Sequence, residues 1–154
     1  MRLARVPTGL LVLALLTAPL VTEAQQQAGK VPRIGVLTSN PMTAALQEAF
    51  RQDLRDYAYV EGQNILVEWR AAEGRTDRAK ALAEELVGLK VDVIVAIFTP
   101  AVRAAKAATS TIPIVMAPAG APVATGFVAS LARPGGNITG IAGLDAELQG
   151  KRIE

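Results

Sequence analysis

Histidine and cysteine are both absent from the 154 residues. Without them no Ser-His-Asp or Cys-His nucleophile can be assembled from this chain. Zinc and blue-copper sites lose their usual ligands. Disulfides are impossible, so stability has to come from the core. A cysteine-free chain folds in any redox environment, so this absence does not choose a compartment. Charge of one sign is also lacking: 16 Lys and Arg stand against 14 Asp and Glu, a net charge of +2. That is not the basic field that nucleic-acid binding needs, and no nucleic-acid partner is expected. A glycine-rich phosphate loop is missing too. The stretch "GAPVATG" has neither the paired glycines of a dinucleotide fingerprint nor the Lys-Ser/Thr of a P-loop. The residues predict no cofactor and no metal.

What is present begins with "MRLARVPTGLLVLALLTAPLVTEAQQQ". Arg2 and Arg5 make a positive start. Gly9 to Ala18 is an apolar stretch of about ten residues, half of the roughly 20 that span a bilayer as a helix. Pro19 breaks it, and Thr22-Glu23-Ala24 places small residues three and one before a cut, with a mature start near Gln25. Residues 1–24 therefore read as a cleaved secretory signal peptide. The mature chain is expected to be exported and soluble, with the periplasm as its compartment.

The mature part alternates strand-like and helix-like segments. Strands are expected at Arg33–Leu37, Ile65–Arg70, Val93–Ile97, Ile114–Ala117 and Ile138–Ile141. Helices are expected from Pro41, with Asn40 as N-cap; from about Thr76, its likewise expected cap; over Pro100–Ala108; over Phe127–Ala132; and from Asp145 onward. The first helix places Leu46, Ala49, Phe50, Leu54 and Tyr57 on one stripe. Ile65–Arg70 mixes apolar and charged positions, which suits an edge strand. Regular alternation predicts an α/β fold, a doubly wound parallel sheet ordered 2-1-3-4-5.

In such a sheet, ligands bind where the loops after the strands open on one edge. Three loops qualify: Thr38 to Pro41, Phe98 to Pro100, and Ala117 to Pro122. Two of them end a buried strand with a short polar residue followed by proline. Proline in the first helical turn costs no hydrogen bond, and first-turn amides left facing the crevice favour a carboxylate. Asn-Pro and Thr-Pro are also ordinary helix starts. Phe98 either stacks on a ligand ring or packs on a neighbouring loop. Asp145 and Glu147 read as surface carboxylates and Trp69 as sheet packing.

The segments "YVEGQN", "AEGRTDR", "ELVGLKVDVIV", "TPA", "TIPIV", "PVATGFVASLARPGGNITG" and "GKRIE" stand in an order and spacing that resembles the tryptophan/tyrosine-type family of ABC-transporter substrate-binding proteins. The resemblance runs from about Arg33 to Glu154. It implies a type I periplasmic binding fold, in which two α/β lobes close on a solute. It also implies that residues 25–144 are the first lobe and 145–154 the start of a truncated second. Thr38, Ser39, Thr99 and Gly120 carry over as lining positions, and Asn40, Ala119, Phe98 and Ala121 complete the candidate set. This chain departs from the family at three places. The family usually has Gly where Ala58 stands, a small residue, often Gly, where Phe98 stands, and "GDPV" where this chain has Gly120-Ala121-Pro122-Val123. The implied function is that of a periplasmic solute-binding component of an ABC importer. It would not be an enzyme. It would take an amino acid or related small organic solute to an inner-membrane permease, and act as a monomer when full length. Rival readings are an exported sensor subunit of the same fold, a nonfunctional truncated remnant, a flavodoxin-like enzyme and a ligand-sensing transcription regulator. The lack of His, Cys and a phosphate loop disfavours the enzyme. The leader stands where the regulator would need a DNA-binding module.

Overall fold

The computed structural model describes residues 30–143. The leader assigned to residues 1–24 and the helix expected from Asp145 lie outside them. Among the described residues, five strands alternate with three helices: β1 (Arg33–Thr38), α1 (Ala44–Asp56), β2 (Leu66–Ala71), α2 (Thr76–Gly88), β3 (Val93–Ile97), α3 (Thr99–Ala108), β4 (Ile114–Gly120) and β5 (Ile138–Gly143). All neighbouring strands are parallel, and the sheet order is β2-β1-β3-β4-β5. This is the expected α/β fold and strand order.

One face of the sheet carries most of the core. Gly35, Ile94, Ile114 and Ile138 lie in one register row across β1, β3, β4 and β5. The three isoleucines are buried. Leu86 of α2 fills the space that glycine leaves, since a Cβ on Gly35 would stand 2.9 Å from its Cδ2. The next row on the same face is Leu37, Ala96, Met116 and Gly140. α2 and α3 pack on each other and over this face through Ala79, Ala83, Leu86, Ala101, Val102, Ala104 and Ala105. Small residues on both helices let them approach closely, so Leu86, Ile94 and Ile114 become fully buried. Each such side chain contributes about 1.5–3 kcal/mol through removal from water.

The opposite face is covered more thinly. Val36, Trp69 and Val95 share a row there, and Trp69 meets Phe50 of α1 edge to face at 5.3 Å. Arg51 lies 5.5 Å over the same indole and pairs with Glu61 at 2.5 Å. Glu61 in turn accepts from the indole nitrogen at 3.2 Å. Trp69 is thus sheet packing, as expected, on the edge strand β2. The expected α1 stripe holds only in part. Leu46, Phe50 and Leu54 are half-buried, Ala49 is exposed, and Tyr57 is 80% exposed.

Four local expectations need correcting. α1 begins three residues late: its cap is Thr43, whose hydroxyl accepts from the Leu46 amide at 3.2 Å, so Asn40 is not a cap and Pro41 is not helical. α2 starts at Thr76, and its cap position is Arg75, which makes no side-chain cap bond. β4 runs on through Pro118 to Gly120. It can do so because its register with β5 shifts between Met116 and Ala119, where a proline needs no ladder bond. The helix expected over 127–132 is irregular chain that follows a run of turns over 122–126; the amides of Phe127 and Val128 both reach back to the Pro122 carbonyl.

Candidate functional site

Because the strands are parallel, their carboxyl ends place the following loops on one rim. β1 delivers Thr38, Ser39 and Asn40; β3 delivers Phe98 and Thr99; β4 delivers Ala119, Gly120 and Ala121. Ser39 and Thr99 therefore stand at the ends of adjacent strands, and the Ser39 amide donates to the Ile97 carbonyl at 3.4 Å.

Thr38 is fully buried, and its hydroxyl accepts from the Asn40 amide at 3.2 Å. Its role is to turn the chain, and Asn40 is left exposed. Ser39 is held on both sides: its carbonyl accepts from the Gly74 amide at 2.7 Å, while Thr38's accepts from Ala72 at 2.9 Å. The Ser39 residue is 6% exposed and its hydroxyl has no hydrogen-bond partner among the described residues. A buried hydroxyl without a partner costs about 1–3 kcal/mol, so this one stands out.

At α3, Phe98 occupies the cap position without a side-chain cap bond, and Thr99 and Pro100 form the first turn. The Thr99 hydroxyl does not cap the helix. It accepts from the Gly120 amide at 3.1 Å and ties the ends of β3 and β4 together. The amide of Phe98 donates to the Pro118 carbonyl, and those of Ala101 and Val102 turn back onto the Phe98 carbonyl. Pro100 has no N–H. Most of the first-turn donors expected to face the crevice are thus satisfied within the protein. Gly120 has an ordinary backbone conformation, and a Cβ there would meet only the Thr99 hydroxyl at 3.6 Å. Ala119 is buried in β4 and Ala121 half-buried just beyond it.

The three departures from the family pattern share a physical feature. Ala58, Phe98 and Ala121 have φ of 62°, 70° and 42°. This is the left-handed region that glycine enters freely, and asparagine or aspartate more readily than alanine or phenylalanine.

The sequence reading missed the contribution of the β2–α2 loop. Ser39 and Asn40 line a recess of about 240 Å³ together with Ala72, Gly74, Arg75, Thr76, Ala79 and Pro100. The signal was available: this loop too follows a strand, so it opens on the same rim. Arg75 pairs with Asp77 at 2.8 Å beside the recess. That bond, helped by the Arg78 amide, holds the Asp77 carboxyl below the usual carboxylate range. A shallower groove of about 360 Å³ continues between α2 and α3, walled by Lys80, Arg103 and Ala107. No cluster among the described residues could hold a metal ion. The rim can therefore offer hydroxyls, backbone amides and apolar walls, which suits non-covalent capture of a small molecule.

Comparison with known proteins agrees with this architecture. Residues 33–154 match the family model described as ABC transporter substrate binding protein. The tyrosine-binding protein of Clostridioides difficile (strain R20291) is 36% identical over 113 residues, which is 72% of this chain and 33% of that protein. A ligand-free, open substrate-binding protein with adhesive properties from Clostridium difficile superposes with a TM-score of 0.67 at 30% identity, covering 80% of this chain and 43% of the other. A conserved domain protein from Vibrio cholerae gives 0.70 at 32% identity, with the same coverage of 80% and 43%. The Streptococcus pneumonia ABC domain in complex with L-Trp gives 0.66 at 27% identity, covering 73% and 39%. The chain spans 33% of the length of the curated relative it matches. With the family model matching residues 33–154, most of the chain, the chain belongs to the family of ABC transporter substrate-binding proteins.

Proposed function

We propose that this chain forms the first lobe of a solute-binding component of an ABC importer. It binds an amino acid, of the tyrosine or tryptophan kind, at the rim formed by Ser39, Thr99 and Gly120, and a second lobe closes over it. The closed form then docks on an inner-membrane permease. On this reading residues 1–24 export the chain to the periplasm and are removed, residues 145–154 begin the second lobe, and the full-length protein is a monomer that binds without catalysing a reaction. One observation carries the proposal. The buried Ser39 hydroxyl has no hydrogen-bond partner among the described residues and belongs to a residue that lines a recess on the rim. Support also comes from relatives that are a tyrosine-binding protein and an L-Trp complex.

The test is a thermal-shift and calorimetric panel of amino acids and small organic acids on the full-length protein. Saturable binding of at least one aromatic amino acid is expected. No heat and no shift with any member of the panel would sink the proposal.

A further inference from the structure

Phe98 adopts φ 70° and ψ 155°, a region reserved in practice for glycine. An aromatic side chain is unexpected there, because its Cβ is what makes the conformation unfavourable. The conformation is held from both sides. The Phe98 amide donates to the Pro118 carbonyl at 3.2 Å, and its carbonyl accepts from Ala101 and Val102 at 3.1 and 3.2 Å. The next residue is fixed to β4 through the Thr99 hydroxyl. The direction in which the side chain leaves the backbone is therefore set. The ring is not used to fill the core: Phe98 is 38% exposed.

The other aromatics of the described residues have different places. Phe50 and Trp69 pack on each other. Phe127 is buried beneath Arg103. Tyr57 and Tyr59 follow α1, ahead of β2, at the opposite end of the sheet from the rim. Among the described residues, Phe98 is the aromatic at the carboxyl-end rim.

We propose that Phe98 is a specificity-determining residue whose ring stacks on the flat ring of the bound solute, selecting aromatic over aliphatic amino acids. This inference rests on the binding function proposed above and names the residue that sets the preference of that site. Stacked rings in protein sites add a modest, geometry-dependent gain over plain burial, so the selection should be several-fold to about tenfold. Glycine in its place would relieve the backbone while removing the platform, so stability and affinity should move in opposite directions.

The experiment is titration calorimetry of the full-length protein and its Phe98→Leu and Phe98→Gly variants with tyrosine, tryptophan and leucine, alongside thermal melts. Phe98→Leu keeps apolar bulk without a π face. It should weaken tyrosine and tryptophan about tenfold while changing leucine binding less than twofold. Phe98→Gly should melt above the parent and bind the aromatic solutes worse than Phe98→Leu does. Wild-type binding of tyrosine with no change in Phe98→Leu would overturn the inference and leave the binding function standing. Equal losses for all three solutes would overturn it too, since Phe98 would then only shape the pocket. If the parent protein binds no amino acid at all, both readings fall together.

Discussion

Replacing Ser39 by alanine should make the free protein more stable, which is unusual for a buried position beside a sheet. The Ser39 hydroxyl is buried and without a hydrogen-bond partner among the described residues, and its desolvation costs about 1–3 kcal/mol that none of them offsets. Alanine removes that cost. It also loses the packing of one oxygen atom and leaves a void smaller than a methyl group, worth about 1 kcal/mol or less. The main-chain bonds of Ser39, to Ile97 and from Gly74, do not depend on the side chain and should persist. The net gain is about 1 kcal/mol, or roughly 3–5 °C in melting temperature for a domain of this size. Urea unfolding followed by circular dichroism reads it directly: the midpoint should rise with an unchanged slope. The same variant should bind solute about fivefold more weakly, because the hydroxyl finds its partner only in the complex. A loss of 1 kcal/mol or more in the free protein would refute the reasoning, since the hydroxyl would then already have a partner such as an ordered water.

Gly140→Ala should destabilise by about 3 kcal/mol in the same unfolding assay, because φ is 128° and a Cβ would stand 2.2 Å from the Met116 carbonyl oxygen; a neutral result would mean that β5 does not pair with β4 as described. Glu85 accepts from Arg70 at 2.7 Å, and that bond holds its carboxyl below the ordinary value. A depressed carboxylate adds stability above its unfolded pKa of about 4.3 and loses it as pH falls through the lower folded value. The parent should therefore lose more stability below about pH 4.5 than Glu85→Gln does; the difference should stay under about 1 kcal/mol because the Glu85 side chain is half exposed. Parallel pH curves for the two proteins would count against the pair.

Much of the fold could be read from residue order because its central strands are largely apolar and no residue of them is exposed. Ile34–Leu37 and Val93–Ile97 are continuous apolar runs, and such runs have few alternatives in an alternating chain. Other segments offered two locally good solutions. Asn40-Pro41 looks like a helix start, yet Thr43 is an equally good cap three residues on, and Thr38 has already drawn the Asn40 amide into a turn. β4 was expected to end at Ala117, but a register shift lets the strand pass through Pro118 to Gly120. Phe127 and Val128 were expected in a helix; their burial comes instead from turns anchored on Pro122, which no helical period reveals. In the candidate site, the loops after β1, β3 and β4 were legible from strand ends. Two contacts were not, because each is made across loops distant in sequence. One is the bond between Thr99 and Gly120. The other is the recess that Ser39 shares with Gly74 and Thr76.

Backbone amide shifts of the full-length protein, followed by NMR as tyrosine is added, test most directly where the solute sits. Saturable changes at Ser39, Thr99 and Gly120, with Asp92 and Ile112 at the far ends of the strands unmoved, are the predicted result. Changes confined to that far edge, or tight binding that leaves these three amides untouched, would contradict it.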